Sequence, residues 1–351
     1  VGKVVLVTGV AHWLGARFAG QIAEQPGVDR VVGVDAGPPP AALPSGVEYA
    51  QVDLRRPAIA RVIAEHEVDT VVHLHVTSLG HGGRALVKET NVIGTMQLLG
   101  ACQKAPGVRR LVVKSTTAVY GSAPRDPAVF GERMQPKALP AGGFARDAAE
   151  VEGYVRGFAR RRPDVAVTVL RFANILGAHG DTPLTAYFRL PLLPTALGHD
   201  PRLQFVHEDD ALEVLRLAAL DAPSGTYNVA GDGVLLLSQC ARRLGRPTVP
   251  LLRPALGVVG RLARQLTAPA DRAFSQEQLQ LLTHGRVVDT ALLRGTFGYT
   301  PRWSTSEAFA DFAAHVKPGP LPPARLTAVT DRLTDLLADH RPTEPEELRP
   351  R

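Results

Sequence analysis

Val4-Val5-Leu6-Val7-Thr8-Gly9-Val10-Ala11-His12-Trp13-Leu14-Gly15, followed by Val31-Val32-Gly33-Val34-Asp35, is the stretch that decides the fold. Val4–Val7 reads as a buried central strand, and residues 8–15 as a turn that opens a helix running to about Gln25. A second strand ends at Asp35, twenty residues after Gly15. A dinucleotide needs this arrangement. A tight turn lets backbone N–H groups reach the pyrophosphate, the helix N-terminus favours its charge, and a carboxylate takes the ribose hydroxyls. His12 stands where the middle glycine of the fingerprint belongs, so the strand–turn–helix–strand–acid context carries the assignment.

Outward from there, apolar strand runs alternate with helical patterns. A strand around Val47–Val52 ends in Asp53-Leu54, and a helix at Ile59–Glu65 precedes a strand at Thr70–His75. A helix over about Val87–Lys104 carries Asn91 near its start, and a strand at Arg110–Ser115 leads into Thr116-Thr117-Ala118-Val119-Tyr120-Gly121. An amphipathic helix over about Phe144–Arg161 then precedes a strand at Val165–Arg171. This alternation predicts an α/β protein with a Rossmann-type, doubly wound parallel sheet.

Past Asn174 the pattern loosens through a polar, Pro-rich stretch from Gly177 to Arg202. Phe205-Val206-His207-Glu208-Asp209-Asp210 then opens a helix to Leu220, and Gly225–Val229 reads as one more strand. A helix at Ser238–Leu244, then Pro247–Pro269 and Gln276–Leu293, are assigned to a small C-terminal substrate-binding lobe. The expected division is a dinucleotide-binding domain over 1–175, with segments of about 204–230 returning to it, a lobe over 176–316, and a tail over 317–351. In that tail Lys317–Pro323 reads as a stiff linker. Leu326, Val329, Leu333, Leu336 and Leu337 form one helical stripe, and the last ten residues read as disordered.

Composition bounds the class. The 351 residues are 45% hydrophobic, with a net charge of +6 in which arginine far outnumbers lysine. No apolar run approaches the ~20 residues of a membrane helix, and Val1-Gly2-Lys3 leads straight into a strand without a signal peptide, so a cytoplasmic protein is expected. Cys102 and Cys240 show no metal spacing and read as buried free thiols; no metal is expected. Arg109-Arg110 and Arg160-Arg161-Arg162 read as solvated loop charges, and no nucleic-acid signature accompanies them.

By Gly121 the residues resemble the extended short-chain dehydrogenase/reductase family, in its NAD-dependent epimerase/dehydratase, nucleotide-sugar epimerase-like branch. The turn through Gly15, Asp35, Asp53-Leu54, Val71–Leu74, Asn91–Thr95, Ser115–Gly121, Leu170–Gly177, Phe205–Asp210 and Tyr227–Val229 fall in that family's order. The resemblance implies that Gly9, His12, Trp13, Leu14 and Gly15 wrap the pyrophosphate of NAD, and that Asp35 holds the adenosine ribose and repels a 2′-phosphate. It places Asp53 and Leu54 beside the adenine, although Asp53 also reads as a helix N-cap. Leu74, His75 and Val76 would line the nicotinamide-side channel. Asn174 would face a substrate, commonly a nucleotide-sugar phosphate. Dimerisation through the helices Val87–Lys104 and Phe144–Arg161 is a family habit that Gly153 and Gly157 would allow.

One departure bears on activity. Family members shuttle a proton with a Tyr-x-x-x-Lys pair beside a Ser or Thr hydroxyl. Counting back from the strand at Val165, Phe144 falls at the tyrosine and Ala148 at the lysine, while Thr116 keeps the hydroxyl. Tyr154 lies about 15 Å along the helix, Lys137 sits in a loop, and Arg146 and Asp147 suit no proton shuttle. His75 and His81 are the candidate substitutes. Leu203 stands where the family usually carries a diphosphate-gripping Arg, with Arg202 beside it. Three readings follow: an NAD-binding protein with a degenerate pair, acting as a cofactor-responsive binding or regulatory subunit; a working nucleotide-sugar epimerase or dehydratase using Thr116 with His75; or a fold relic acting through its surfaces.

Overall fold

The computed structural model describes residues 2–39, 43–77, 83–134, 143–252 and 275–319. His81, Lys137, the leucine stripe and the tail beyond Gly319 lie outside the described residues, as does most of Pro247–Pro269.

Buried apolar runs build a seven-stranded parallel sheet. In chain order come β1 (Lys3–Thr8), α1 (Trp13–Ala23), β2 (Val28–Asp35), β3 (Val47–Gln51), α2 (Ile59–Glu65) and β4 (Thr70–His73). Then follow α3 (Gly83–Lys104), β5 (Arg110–Thr116), a 3₁₀ turn (Thr117–Tyr120), α4 (Gly143–Arg161), β6 (Ala166–Phe172) and β7 (Asn174–Leu176). The chain continues through α5 (Pro183–Phe188), β8 (Leu193–Ala196), β9 (Arg202–Leu203), β10 (Phe205–His207), α6 (Glu208–Leu220) and β11 (Gly225–Val229). It closes with β12 (Leu235–Leu236), α7 (Leu237–Arg243), β13 (Thr248–Leu251), α8 (Gln276–His284), α9 (Ala291–Gly295) and α10 (Thr305–Ala314). The central sheet runs β11-β6-β5-β4-β1-β2-β3, the doubly wound Rossmann order expected from the alternation.

Strand alternation separates the two faces. Val5, Val7, Val72 and Val112 pack with Phe18 and Ile22 of α1 and Val214 and Leu215 of α6. Leu6, Val71 and Leu111 pack on the other face with Ile63 of α2, Leu98 of α3, and Val155 and Phe158 of α4. A third cluster, built on Phe188, Phe205, Phe309 and Phe312, holds α5, β10 and α10 together.

Two helices lie where the sequence reading had none. Pro-rich composition hid α5, yet Thr182 caps it from the N-cap position and Pro183 follows at its first position. Ser304 and Glu307 form a capping box for α10, the short-range signal that identifies it.

The arginine pairs are not all solvated charges. Arg162 donates to the carbonyls of Cys102, Ala105 and Val108 while pairing with Asp164, and so closes the C-terminal end of α3. Arg110 does the same for α6 through Ala218 and Ala222. Unpaired helix carbonyls and the negative end of the helix dipole favour a guanidinium at both places. Cys102 and Cys240 are free and buried, and burial pushes the Cys102 thiol up to about 12. Among the described residues no helix is long and apolar enough to cross a membrane, and no cluster could hold a metal ion.

Candidate functional site

The cradle starts at the C-terminal end of β1. Gly9 takes φ +83°, and a Cβ there would sit 3.1 Å from the His75 backbone. A Cβ on Gly15 would sit 2.2 Å from the Gly9 carbonyl, so the turn closes on the chain after β4 at Gly9 and on α1 at Gly15. The first intrahelical donor of α1 is Ala16, bonded to the His12 carbonyl at 3.0 Å. Trp13, Leu14 and Gly15 therefore present N–H groups the helix itself does not use. His12 makes no side-chain cap, and the first turn holds no acid. That helix end is open to an anion.

Asp35 closes β2 and is buried, its carboxylate accepting from Ala11 N at 3.0 Å and Ala36 N at 2.8 Å. His75 lies beside it, with Nδ1 3.9 Å from Asp35 Oδ2 and its ring edge-on to His12 at 5.8 Å. That Nδ1 is buried without a hydrogen-bond partner. Burial first, then the charges of His12 and Lys114, draw His75 down to about 4 against the pull of Asp35. Gly9, His12, Asp35 and His75 thus converge, and an uncommitted helix terminus, a buried carboxylate closing β2 and an orphaned ring nitrogen fit a dinucleotide.

Asp53 does not cap α2, whose N-cap is Ala58. Its carboxylate accepts from Arg55 N and pairs with the Arg55 guanidinium at 2.7 Å, which holds it below the usual carboxylate range. Leu54 is buried against α3, where a Cβ on Gly94 would meet it at 3.2 Å. Leu74 is buried, and its N–H donates to Thr8 Oγ1. Asn91 lies well inside α3, because that helix starts at Gly83. It fixes the chain after Val76 by exchanging two hydrogen bonds with the Thr77 backbone, at 3.1 and 2.8 Å.

Two residues before His75, His73 is fully enclosed. Thr95 gives its hydroxyl proton to the Asn91 carbonyl, so His73 Nε2–H donates to Thr95 Oγ1 and Thr8 donates to Nδ1, each at 2.8 Å. That arrangement suits only the neutral ring, and burial draws His73 down to about 3. Lys114, which the sequence reading passed over, donates to the Val76 carbonyl at 2.7 Å. Its signal was an ionisable residue near the end of an otherwise buried strand.

The start of α4 is arranged differently. Phe144 is part-buried and packs with the α2–α4 apolar cluster, and Ala148 is buried against the opposite cluster. Asp147 is held bidentately by Arg84 at 2.6 Å and accepts from Asn91 at 3.3 Å. Glu277, reaching in from α8, accepts from Ala145 N at 3.1 Å, and burial raises its carboxyl. Tyr154 is exposed. The five other tyrosine hydroxyls bond to backbone carbonyls, Asn228, Arg171 or Asp210, none of them to a lysine among the described residues.

Thr116 Oγ1 accepts from Ala118 N at 3.1 Å and caps the 3₁₀ turn. Asn174 opens β7 in register with Phe205. Leu203 is buried, while Arg202 is exposed and reaches the Ala128 carbonyl at 3.3 Å. Next to it Arg286, also missed by the sequence reading, donates to the Gly121 carbonyl at 3.1 Å, and burial draws it down to about 10. Glu208 is a buried hub for Arg17 at 2.6 Å and His179 Nδ1 at 2.8 Å, tying α1 to the chain after β7.

A family profile described as the NAD dependent epimerase/dehydratase family matches residues 5–230. An uncharacterised protein of Mycobacterium tuberculosis is 46% identical over 315 residues, 88% of this chain and 83% of the relative. The UDP-glucose 4-epimerase of Thermotoga maritima, crystallised with UDP-glucose, superimposes with a TM-score of 0.68 at 19% identity, over 89% of this chain and 98% of that one. The UDP-glucuronic acid 4-epimerase of Bacillus cereus, in complex with UDP-glucuronic acid and NAD, gives a TM-score of 0.67 at 17% identity, over 89% and 98%. Sequence order, sheet order and profile agree that this chain belongs to the NAD-dependent epimerase/dehydratase family.

Proposed function

We propose that the protein binds NAD in the β1–α1–β2 cradle, lacks the family's proton-transfer pair, and acts as a cofactor-responsive binding or regulatory protein. The observation that carries this reading is the contrast between the two helix starts: α1 leaves its first-turn N–H groups uncommitted, whereas Phe144 and Ala148 of α4 are apolar. Gly9, His12, Trp13, Leu14 and Gly15 would hold the pyrophosphate, and Asp35 the adenosine ribose. Asp53 and Leu54 would flank the adenine, with Leu74, His75 and Val76 along the nicotinamide side. A phenyl ring donates no proton and a methyl group tunes none.

A nucleotide sugar or another small ligand would sit against Asn174 and Arg202, and a homodimer through α3 and α4 fits the exposed Ile93, Met96 and Tyr154. The alternative, an active epimerase or dehydratase using Thr116 with His75, draws on the retained Thr116 hydroxyl. An imidazole drawn down to about 4 is a weak base, and at neutral pH it is hardly ever an acid. Titration of the purified protein with NAD and NADH, with turnover measured on UDP- and dTDP-sugars, tests the reading. Binding without turnover supports it. Turnover abolished by His75→Ala or Thr116→Ala establishes the alternative, and absence of binding leaves only a surface role.

A further inference from the structure

We propose that Lys114 supplies the fixed positive charge at the nicotinamide end of the cleft, so that the protein holds the reduced dinucleotide more tightly than the oxidised one. This rests on the NAD-binding reading above. Lys114 stands two residues before Thr116 on β5, hence on the same face of the strand as that hydroxyl. Its amine donates to the carbonyl of Val76, in the segment that follows β4 and carries His75. Among the described residues no carboxylate pairs with it, and dehydration alone draws it down to about 8, which leaves it mainly charged at pH 7.

The ionisable groups around it do not offset that charge. His73 and His75 are both neutral at pH 7, and the Lys114 charge is one of the causes that lower each of them. Asp35, the buried acid of the cradle, accepts from Ala11 N and Ala36 N and lies 3.9 Å from His75 Nδ1. One ammonium without a carboxylate partner among the described residues therefore stands beside the chain that carries His75. The two forms of the dinucleotide differ in charge only at the nicotinamide ring, which is cationic when oxidised and neutral when reduced. A fixed ammonium repels the first and not the second. Unit charges roughly 10 Å apart at an effective dielectric of about 20 change the ratio of affinities by about tenfold.

The cation is thus carried by a sheet strand, while position 148 of α4 holds only alanine. A charge so placed would favour retention of the reduced coenzyme, which suits a protein that senses cofactor state more than one that cycles it.

The test is calorimetric titration of the full chain at pH 7 with NAD and separately with NADH, in the wild type, Lys114→Met, Lys114→Gln and Lys114→Arg. Lys114→Gln keeps a donor for the Val76 carbonyl while removing the charge. The wild type should bind NADH about tenfold more tightly than NAD. Both neutral variants should bring the ratio near one, chiefly by strengthening NAD binding, and Lys114→Arg should preserve it. Equal wild-type affinities overturn the proposal and leave the NAD-binding reading intact. So does a ratio unchanged in folded Lys114→Gln. Failure of the wild type to bind either form overturns both.

Discussion

The N-termini of α1 and α4 face the same C-terminal edge of the sheet but meet opposite fates. At α1 no acid occupies the first turn, His12 makes no side-chain cap, and glycine at positions 9 and 15 keeps the approach free of side chains. At α4 the chain brings its own carboxylate: Glu277 accepts from Ala145 N, while Asp147, just past the first turn, is bound by Arg84. A helix terminus can serve a ligand only if the protein has not already satisfied it. The first helix leaves its end to an anion, and the second already receives the Glu277 carboxylate at Ala145 N.

The largest expected effect breaks the open end. Gly15→Val, whose Cβ falls 2.2 Å from the Gly9 carbonyl, should weaken dinucleotide binding by about 100-fold or more, whereas Gly153→Ala on α4, facing only the flexible Arg156 side chain, should leave it unchanged. Calorimetric titration of the two variants reads the contrast directly. Next comes the satisfied end. Arg84→Met strands the buried Asp147 carboxylate and should cost about 3 kcal/mol in urea unfolding. Replacing both partners, Arg84→Met with Asp147→Leu, should recover most of that loss, because no unpaired charge remains.

A smaller effect separates the regions by pH. Unfolding releases His73 to its ordinary value of 6.5 from about 3, so the unfolded chain takes up a proton first as pH falls. The contribution is therefore complete above pH 6.5 and declines from there towards pH 3. At pH 5 the loss is about 2 kcal/mol. Urea midpoints across this range should slope in the wild type, and the slope should flatten in His73→Gln. The smallest effect concerns cofactor choice. Asp35→Asn removes the charge that opposes a 2′-phosphate and should shift the NADP-to-NAD affinity ratio by about tenfold, measured by competition titration.

How much of this could be read from sequence follows from the range of the interactions. The β1–α1–β2 unit was legible because strand runs, glycines and the terminal acid all act locally. Helix α2 was placed at its observed bounds, Ile59–Glu65, by its own apolar spacing. Helix α3 begins four residues earlier than expected, at Gly83, because its first turn lacks the apolar period that marks the rest. Helices α5 and α10 are short, and capping residues rather than periodicity announce them. Glu277 was invisible in the sequence because 133 positions separate it from Phe144 and only the fold brings them together. Arg162 and Arg110 read as solvent charges, since nothing local reveals that distant helix ends will need donors.

A coenzyme in the cradle should meet, at α4, only residues that cannot move a proton. The direct test is a single-turnover assay, following 340 nm absorbance and sugar products with NAD-loaded protein and UDP-glucose, UDP-glucuronic acid or dTDP-glucose. Bound NAD should stay oxidised and every sugar should be recovered unchanged. Reduced nicotinamide or a converted sugar in the unmodified chain would contradict it.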